Sequence, residues 1–405
     1  MWIKKWYLNR NLLCLWIGLM ISYLGDALFL VAFMWIAVTR GSVGAPAIII
    51  ALQTLPMVLF GPFVGVMVDR LPKRCLMIGS DLIRAIILFL VLIADLNGLL
   101  AIWHLYILAF VLGMFELIYR PLVRILIPTL VSADFLASAN SLLLGTQQLT
   151  SIFGAIAGGV IVGAIGPQVV LALDAATFLF AAGMIFLVEF APSLRQSQSG
   201  RVKGVSGILM DVLGGIRYVT SRRDILTLLL TITGLNLAVS PVNALLPAYA
   251  TEVLEGGSFL LGMLYGAEGL GMLLGNILIS MLASRISLSI SIGIGLGVMA
   301  IGVMGLASSQ IPFLSSGFYF LAGLGVPLVF TTTFTHLQGT VPLEYQGRVF
   351  ALQQSTATLA VPIASFLTAA MINILSIRYL LVIASLALLV VAALAVPNVR
   401  AGKLT

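Results

Sequence analysis

Charged residues are scarce in this sequence of 405 amino acids: Asp, Glu, Lys and Arg together make up 9% of it, whereas hydrophobic types make up 61%. A soluble domain is typically about 25% charged, so the composition excludes a water-soluble enzyme. An outer-membrane β-barrel is disfavoured as well, because its strands alternate polar and apolar residues and so dilute the overall hydrophobicity. The composition therefore predicts an all-α polytopic membrane protein.

Cysteine and histidine, the usual ligands of a structural metal, occur only twice each. Cys14 and Cys75 lie beside apolar runs, and His104 and His336 fall near opposite predicted membrane faces. We therefore expect neither a metal site nor a cofactor. The sequence also lacks a G-x-x-x-x-G-K-S/T phosphate loop and the G-x-S-x-G and H-E-x-x-H motifs, so ATP-driven transport and intramembrane catalysis are both disfavoured. A sensor or scaffold without transport is a further alternative.

Long apolar runs fill most of the chain, and each is long enough for a membrane-spanning helix of about 20 residues. Twelve such runs are predicted at 12–38, 46–67, 76–97, 101–127, 139–163, 168–190, 225–250, 258–283, 286–307, 312–336, 348–372 and 376–397. The first run is about twice as long as the apolar part of a signal peptide, so we expect it to be a helix of the mature protein. The longest polar stretch predicts a six-helix bundle at 1–190, a cytoplasmic linker with an amphipathic segment at 191–224, and a second six-helix bundle at 225–405.

Basic residues in the connections set the orientation. With twelve spans, nearly all Lys and Arg residues of the loops fall on the side of the N-terminus, and only Arg40 and Arg378 fall on the other. The positive-inside rule then places both termini in the cytoplasm. The net charge of +7 is accounted for by these loops, so we expect no nucleic-acid partner. The short external loops and the lack of N-x-S/T acceptors favour a multi-pass protein of the bacterial cytoplasmic membrane.

The two halves are weakly related in sequence. A shift of 210 residues aligns Gly61 with Gly271 and Asp26 with Asn236, on equivalent predicted helices. Glycine is so abundant that its matches alone are weak, but the shared offset favours duplication. The sequence therefore predicts twelve transmembrane helices in two six-helix pseudo-repeats.

The loop between the second and third runs carries the most specific motif, GVMVDRLPKR at 65–74. It resembles the G-x-x-x-D-R-x-x-R/K-R/K signature of the major facilitator superfamily; the alternative is an ordinary basic cytoplasmic turn. Small residues allow close helix approach, and a carboxylate at the membrane edge can cap a helix or pair with a base. The residues that match the signature are Gly65, Asp69, Arg70, Lys73 and Arg74.

Further segments are similar to the drug:proton antiporter branch that contains macrolide and siderophore exporters. Gly154, Gly158 and Gly159 resemble a G-P-x-x-G-G antiporter motif, with Ala155 in place of the proline, and Arg348 lies in a related QGRVF segment. The resemblance implies two six-helix bundles around a central cavity and export by alternating access, with these residues taking part in gating. It implies a small organic substrate and protons as partners, and we expect a monomer in the lipid bilayer.

Charged residues inside the predicted spans are the candidates for coupling: Asp26, Glu116, Arg120 and Glu268. Each is costly in hydrocarbon and should face the bundle interior or a wet cavity. We hypothesise that Asp26 and Glu116 carry protons, with Arg120 as their countercharge. A permanent Glu116–Arg120 pair that only joins helices is the alternative, because the two are spaced i, i+4. Glu268 is assigned to a proton or a cationic substrate.

Other polar and aromatic residues complete the prediction. Asp81 and Arg84 are assigned to a structural cluster with the Asp69 loop, and Asp174 to a cavity-facing or capping role. The predicted substrate cavity consists of Tyr23, Phe29, Phe33, Phe115, Tyr119, Asn236, Ser240, Asn243 and Tyr265. Interhelical hydrogen bonds and core packing are the alternatives for these side chains. Within transporters, a lipid or lysophospholipid flippase of the same fold competes with proton-coupled export.

Overall fold

The computed structural model describes residues 10–189, 205–282 and 285–399, and within these ranges the chain is helical apart from its connections. The predicted all-α class is confirmed. The thirteen α-helices of the described ranges are α1 Arg10–Arg40, α2 Ala45–Arg70, α3 Lys73–Leu96, α4 Ile102–Leu130, α5 Ala133–Ala164, α6 Pro167–Leu187, α7 Val205–Ser221, α8 Arg223–Ala248, α9 Ser258–Leu282, α10 Leu288–Ser308, α11 Pro312–Thr340, α12 Leu343–Met371 and α13 Ile377–Asn398.

Most of these helices are suited to cross a bilayer. Among the described residues, eleven are long and apolar enough to do so, and α2 contributes a shorter apolar stretch, Ala45–Gly61. Helices α1 to α6 and α8 to α13 thus correspond to the twelve predicted runs, while α7 lies in the predicted linker. Many large apolar side chains remain exposed, such as Phe89, Phe186 and Leu394. Such a surface is stable when it faces lipid.

Serine and proline set several helix starts. The hydroxyl oxygens of Ser287 and Ser376 accept the backbone N–H groups that open α10 and α13, which satisfies a donor left free at a helix N-terminus. Pro167 opens α6 after Gly166, whose φ of 105° suits glycine, and proline is favoured at this position because its φ is already helical.

Two helices begin earlier than their apolar runs. Helix α5 starts at Ala133 and α12 at Leu343, instead of 139 and 348. Their first turns contain Asp134 and Glu344, carboxylates that stabilise a helix N-terminus without adding hydrophobicity. Hydropathy alone therefore predicts the apolar body of these helices and misses their polar starts.

The chain forms two compact units. Unit 1 comprises the described residues within 1–41, 55–202 and 257–262, and unit 2 those within 42–54, 203–256 and 263–405. In unit 1, α1 packs against α5 and α6, and α3 against α6; in unit 2, α8 packs against α12 and α13, and α10 against α13. The same pairing pattern recurs in both units, as expected for pseudo-repeats.

Glycine allows close backbone contact between α9 and α11 in unit 2. A Cβ at Gly271 would meet the backbone oxygen of Phe320 and lie 2.8 Å from the nitrogen of Leu324. Gly61, its partner in the sequence repeat, has no atom of the described residues within 4 Å of such a Cβ. Backbone atoms cannot move aside as side chains do, so the two equivalent glycines have different roles.

We predict that Gly271→Ala lowers the free energy of unfolding by about 1–3 kcal/mol, since overpacking has costs of that order. Gly61→Ala is the matched control and should be neutral or slightly stabilising, because alanine is the better helix former. Thermal melts of both variants in detergent measure the difference. Equal melting temperatures would show that α9 and α11 do not depend on this close approach.

Candidate functional site

Asp26 lies near the middle of α1, the helix of unit 1 that packs against α5 and α6. Its carboxyl is partly buried, and no described residue forms an ion pair with it. Arg84, Glu116 and Arg120 are nevertheless close enough to interact with it electrostatically. The Asp26 carboxyl near the middle of the helix therefore lies among charges of both signs and is not paired with any of them.

The second element is a buried ion pair on α3. Arg84 pairs with Asp81, and the Tyr119 hydroxyl of α4 donates to Asp81 Oδ2 at 3.3 Å. The guanidinium of Arg84 lies over the rings of Tyr119 and Phe178, with its Cζ 4.8 and 4.1 Å from their centroids. The pair also interacts electrostatically with Asp26. The predicted link between this pair and the Asp69 loop concerns side chains outside the described residues.

The third element is the Glu116–Arg120 pair on α4. Its side chains are 44% and 65% exposed, in contrast to Asp81, which is wholly buried. Exposed ion pairs contribute little to stability, at most about 1 kcal/mol. Because both residues belong to α4, this pair does not link two helices. The exposure of Glu116 leaves its carboxylate accessible from outside the protein.

Together these groups form what we term the charge cluster of unit 1. Its members are Asp26, Asp81, Arg84, Glu116, Arg120 and Asp174. Four carboxyl groups thus lie near two guanidinium groups. Because Asp81 pairs with Arg84 and Glu116 with Arg120, Asp26 and Asp174 are left without an ion pair among the described residues.

The glycines of α5 bring this helix into direct contact with α1. A Cβ at Gly154 would lie 2.6 Å from Ala27 Cβ, and one at Gly158 would lie 2.9 Å from the Leu28 oxygen. The contact is therefore immediately beside Asp26 in sequence. Gly159 faces Ser258, whose hydroxyl donates to the Gly159 oxygen at 3.0 Å.

The loop motif at 65–74 is only partly described. The side chains of Gly65, Asp69 and Arg70 lie outside the described residues, although their backbone belongs to the end of α2. Lys73 and Arg74 open α3. Arg74 donates to the Phe186 oxygen of α6, and its Cζ lies 5.0 Å from the centroid of the Phe186 ring.

Arg348 lies in the first turns of α12, against the linker helix α7. A Cβ at Gly215 would be 3.1 Å from Arg348 Cβ, and the rings of Tyr218 and Tyr345 stack at 4.3 Å. The QGRVF segment that contains Arg348 therefore contacts the linker helix α7 at Gly215 within unit 2.

Unit 2 holds a separate polar group around Glu268 of α9. The Tyr319 hydroxyl donates to Asn243 Oδ1 at 2.6 Å and also lies beside the Glu268 carboxylate, as does Tyr265. The sequence reasoning missed Tyr319, because a tyrosine in an apolar helix has no distinctive spacing. Among the described residues, no cationic group of unit 2 acts on Glu268.

The remaining predicted cavity residues fall into different environments. Tyr23 and Phe115 are partly buried, while Phe29 and Phe33 are buried and stack at 4.9 Å. The Asn236 amide donates to the oxygen of Ile232 in its own helix.

Ser240 lies in a helix contact of unit 2. It is buried and bonds to the Ser365 hydroxyl and the Val361 oxygen of α12 at 2.8 and 3.2 Å. This is the arrangement expected of an interhelical hydrogen bond. In the described ranges, no three His, Cys, Asp or Glu side chains come together as metal ligands.

Comparison with known proteins supports a single family. A profile described as Major Facilitator Superfamily matches residues 15–352 and 226–403. Macrolide efflux protein A of Streptococcus pyogenes is 24% identical over 373 residues, which cover 91% of this chain and 89% of that protein. BacE of Bacillus subtilis, described as a candidate bacilysin exporter, is 23% identical over 370 residues, 89% of this chain and 88% of that protein.

Solved structures agree on the fold. A bacterial homologue of the iron transporter ferroportin in an inward-facing state has a TM-score of 0.74 at 17% identity, covering 96% of this chain and 98% of the other. A bacterial homologue of the human lysosomal transporter Spinster has a TM-score of 0.72 at 12% identity, covering 96% and 97%. At such identities the likeness concerns the fold alone.

Proposed function

Because the chain belongs to the Major Facilitator Superfamily of transporters, we propose that it exports a small amphipathic organic molecule in exchange for protons. Relatives named for macrolide efflux and bacilysin export support outward transport of organic molecules. Proton coupling is supported by one observation above the others: Asp26 lies mid-helix in α1, amid charges of both signs and without an ion pair among the described residues.

The local charges explain how Asp26 can change its protonation state. Arg84, Glu116 and Arg120 act electrostatically on the Asp26 carboxyl, and none of the three is paired with it. In the proposed cycle Asp26 binds a proton from one side of the membrane and releases it to the other when these charges change position.

The contact between α1 and α5 is the proposed link to conformational change. Gly154 and Gly158 hold α5 directly against Ala27 and Leu28, next to Asp26. A change in charge at Asp26 therefore acts on a tightly packed helix pair. In the proposed cycle this pair shifts as the two pseudo-repeats alternate in access, with the 65–74 loop and Arg348 as gating elements.

Glu268 with Tyr265, Tyr319 and Asn243 is proposed to contact the substrate. A carboxylate, two phenol rings and an amide suit an amphipathic molecule with a cationic group, since no cation of unit 2 compensates Glu268 among the described residues. We place the protein in the bacterial cytoplasmic membrane with both termini cytoplasmic, as a monomer whose partners are its substrate, protons and the lipid bilayer.

We predict that Glu268→Gln reduces transport of a cationic substrate at least about tenfold, which corresponds to about 1.4 kcal/mol of lost interaction, and leaves a neutral substrate of similar size nearly unaffected. Glutamine keeps nearly the volume of glutamate and a polar group beside Tyr319 but removes the charge. Parallel flux measurements with one cationic and one neutral dye check this. Equal losses for both dyes would assign Glu268 to proton coupling instead.

Flux in proteoliposomes with an imposed pH gradient tests the proposed function. Candidate substrates are macrolides, siderophores, cationic dyes and lysolipids. Uptake against a substrate gradient that depends on the pH gradient is expected for at least one organic molecule of the first three classes. Movement of lysolipids alone, independent of the pH gradient, would establish the flippase alternative.

A further inference from the structure

Asp174 of α6 is a buried carboxyl with an unused oxygen. The residue is 1% exposed. The Thr177 hydroxyl donates to the Asp174 main-chain oxygen at 2.8 Å and to its Oδ1 at 3.2 Å, while Oδ2 has no hydrogen-bond partner in the described ranges. Buried polar atoms without partners are rare, and an ionised carboxylate in that state is costly. Packing alone therefore does not explain why an aspartate occupies this position.

Gly25 of α1 leaves space for the Asp174 carboxyl. A Cβ at Gly25 would collide with Asp174 Oδ1 and Thr177 Oγ1, so only glycine leaves room for both groups. The residue that follows Gly25 is Asp26, with which Asp174 interacts electrostatically. The Asp174 carboxyl thus packs against the backbone of α1 one residue before Asp26 and interacts with the Asp26 carboxyl electrostatically.

Arg84 supplies the complementary unused donor. Its Nε is also buried without a partner among the described residues. The Arg84 guanidinium lies over the ring of Phe178, one turn beyond Asp174 on α6, so Asp174 and Phe178 share a helix face turned towards it. An unused donor on a cation and an unused acceptor on a carboxyl therefore occur in the same cluster.

Few titratable groups on the neighbouring helices lie near Asp174. Helices α1, α3 and α5 pack against α6. Their titratable or charged residues near this depth are Tyr23 and Asp26 on α1 and Asp81 and Arg84 on α3, while α5 has none between 139 and 164.

We infer that Asp174 is a second proton site of unit 1, which exchanges a proton with Asp26 and has Arg84 as its countercharge when ionised. In the proposed exchange Asp174 starts as the neutral acid while Arg84 is paired with Asp81. Transfer of the Oδ2 proton to the Asp26 carboxylate leaves Asp26 neutral and Asp174 ionised, and Arg84 Nε then donates to Asp174 Oδ2. The inference rests on the proposed proton coupling and extends it to two carboxyl groups.

Infrared difference spectroscopy of the purified full chain during a pH titration tests this without any substrate. The C=O band of protonated carboxyl groups should contain a component that disappears in Asp174→Asn and persists in Asp95→Asn. Asp95 is the matched control because it is a buried carboxylate of the same unit, but it pairs with Arg40 and accepts from Gln168 Nε2 at 2.7 Å. A spectrum of Asp174→Asn identical to that of the wild type would overturn the inference.

Thr177→Val provides a second variant that keeps the carboxyl and the helix packing. Loss of the Thr177 hydrogen bond should shift the Asp174 component to higher frequency, so the test stands even if Asp174→Asn fails to fold. An unshifted band would again contradict the inference. Transport assays separate the two proposals: wild-type flux that ignores the pH gradient contradicts the proposed function, whereas coupled flux with unchanged Asp174→Asn spectra contradicts only the second site.

Discussion

Asp26→Asn should reduce efflux driven by a pH gradient to the level of protein-free liposomes while leaving the protein folded. Asparagine has nearly the shape of a protonated aspartic acid but cannot bind or release a proton. Downhill exchange of labelled for unlabelled substrate needs no change in protonation and should therefore persist. Flux measured with and without the pH gradient in the same proteoliposomes distinguishes the two processes.

Asp95→Asn is the control for this experiment as well, since it removes another carboxylate from unit 1 outside the charge cluster. Its partner Arg40 is 40% exposed on its side chain, so water can replace the lost contact. Coupled efflux should be retained in this variant. If Asp26→Asn retained full coupling, the proton-carrying role of Asp26 would be refuted.

Arg84→Met should be the most destabilising single substitution in the cluster. It leaves Asp81 buried without a cation, and breaking a buried pair in this way costs about 3–5 kcal/mol. Methionine preserves much of the volume and the contact with Phe178, so lost packing contributes little. Chemical or thermal unfolding in detergent at neutral pH measures the loss.

The double variant Asp81→Asn/Arg84→Met isolates the electrostatic part of that loss. Without the unpaired carboxylate, most of the stability lost in Arg84→Met should return, because replacing both members of a buried pair is often close to neutral. A double variant as unstable as Arg84→Met would assign the effect to packing around Tyr119 and Phe178. Both outcomes concern the stability of the protein and do not bear on the transport predictions.

The class and the helix positions were predictable because hydrophobic length is a local property. The composition and the twelve runs predicted the helices, and the motif at 65–74 indicated the superfamily that the profile confirms. The predicted helix boundaries are wrong where a helix begins with polar residues, as at the starts of α5 and α12, whose first turns contain a carboxylate.

The site was predictable only where its chemistry is local in sequence. Glu116 and Arg120 are one turn apart, so their pairing follows from helix geometry. Asp81 and Arg84 are also adjacent, but their position over Tyr119 and Phe178 depends on the packing of three helices. No sequence spacing indicates that Asp174, 148 positions after Asp26, lies against Gly25.

Proton movement driven by substrate tests the central claim most directly. Proteoliposomes with an internal pH dye and no imposed pH gradient are given an outward gradient of a transported organic molecule. We predict that the lumen acidifies as the molecule leaves, that Asp26→Asn abolishes this pH change, and that Asp95→Asn does not. Substrate efflux through the wild-type protein with no change in internal pH would contradict it.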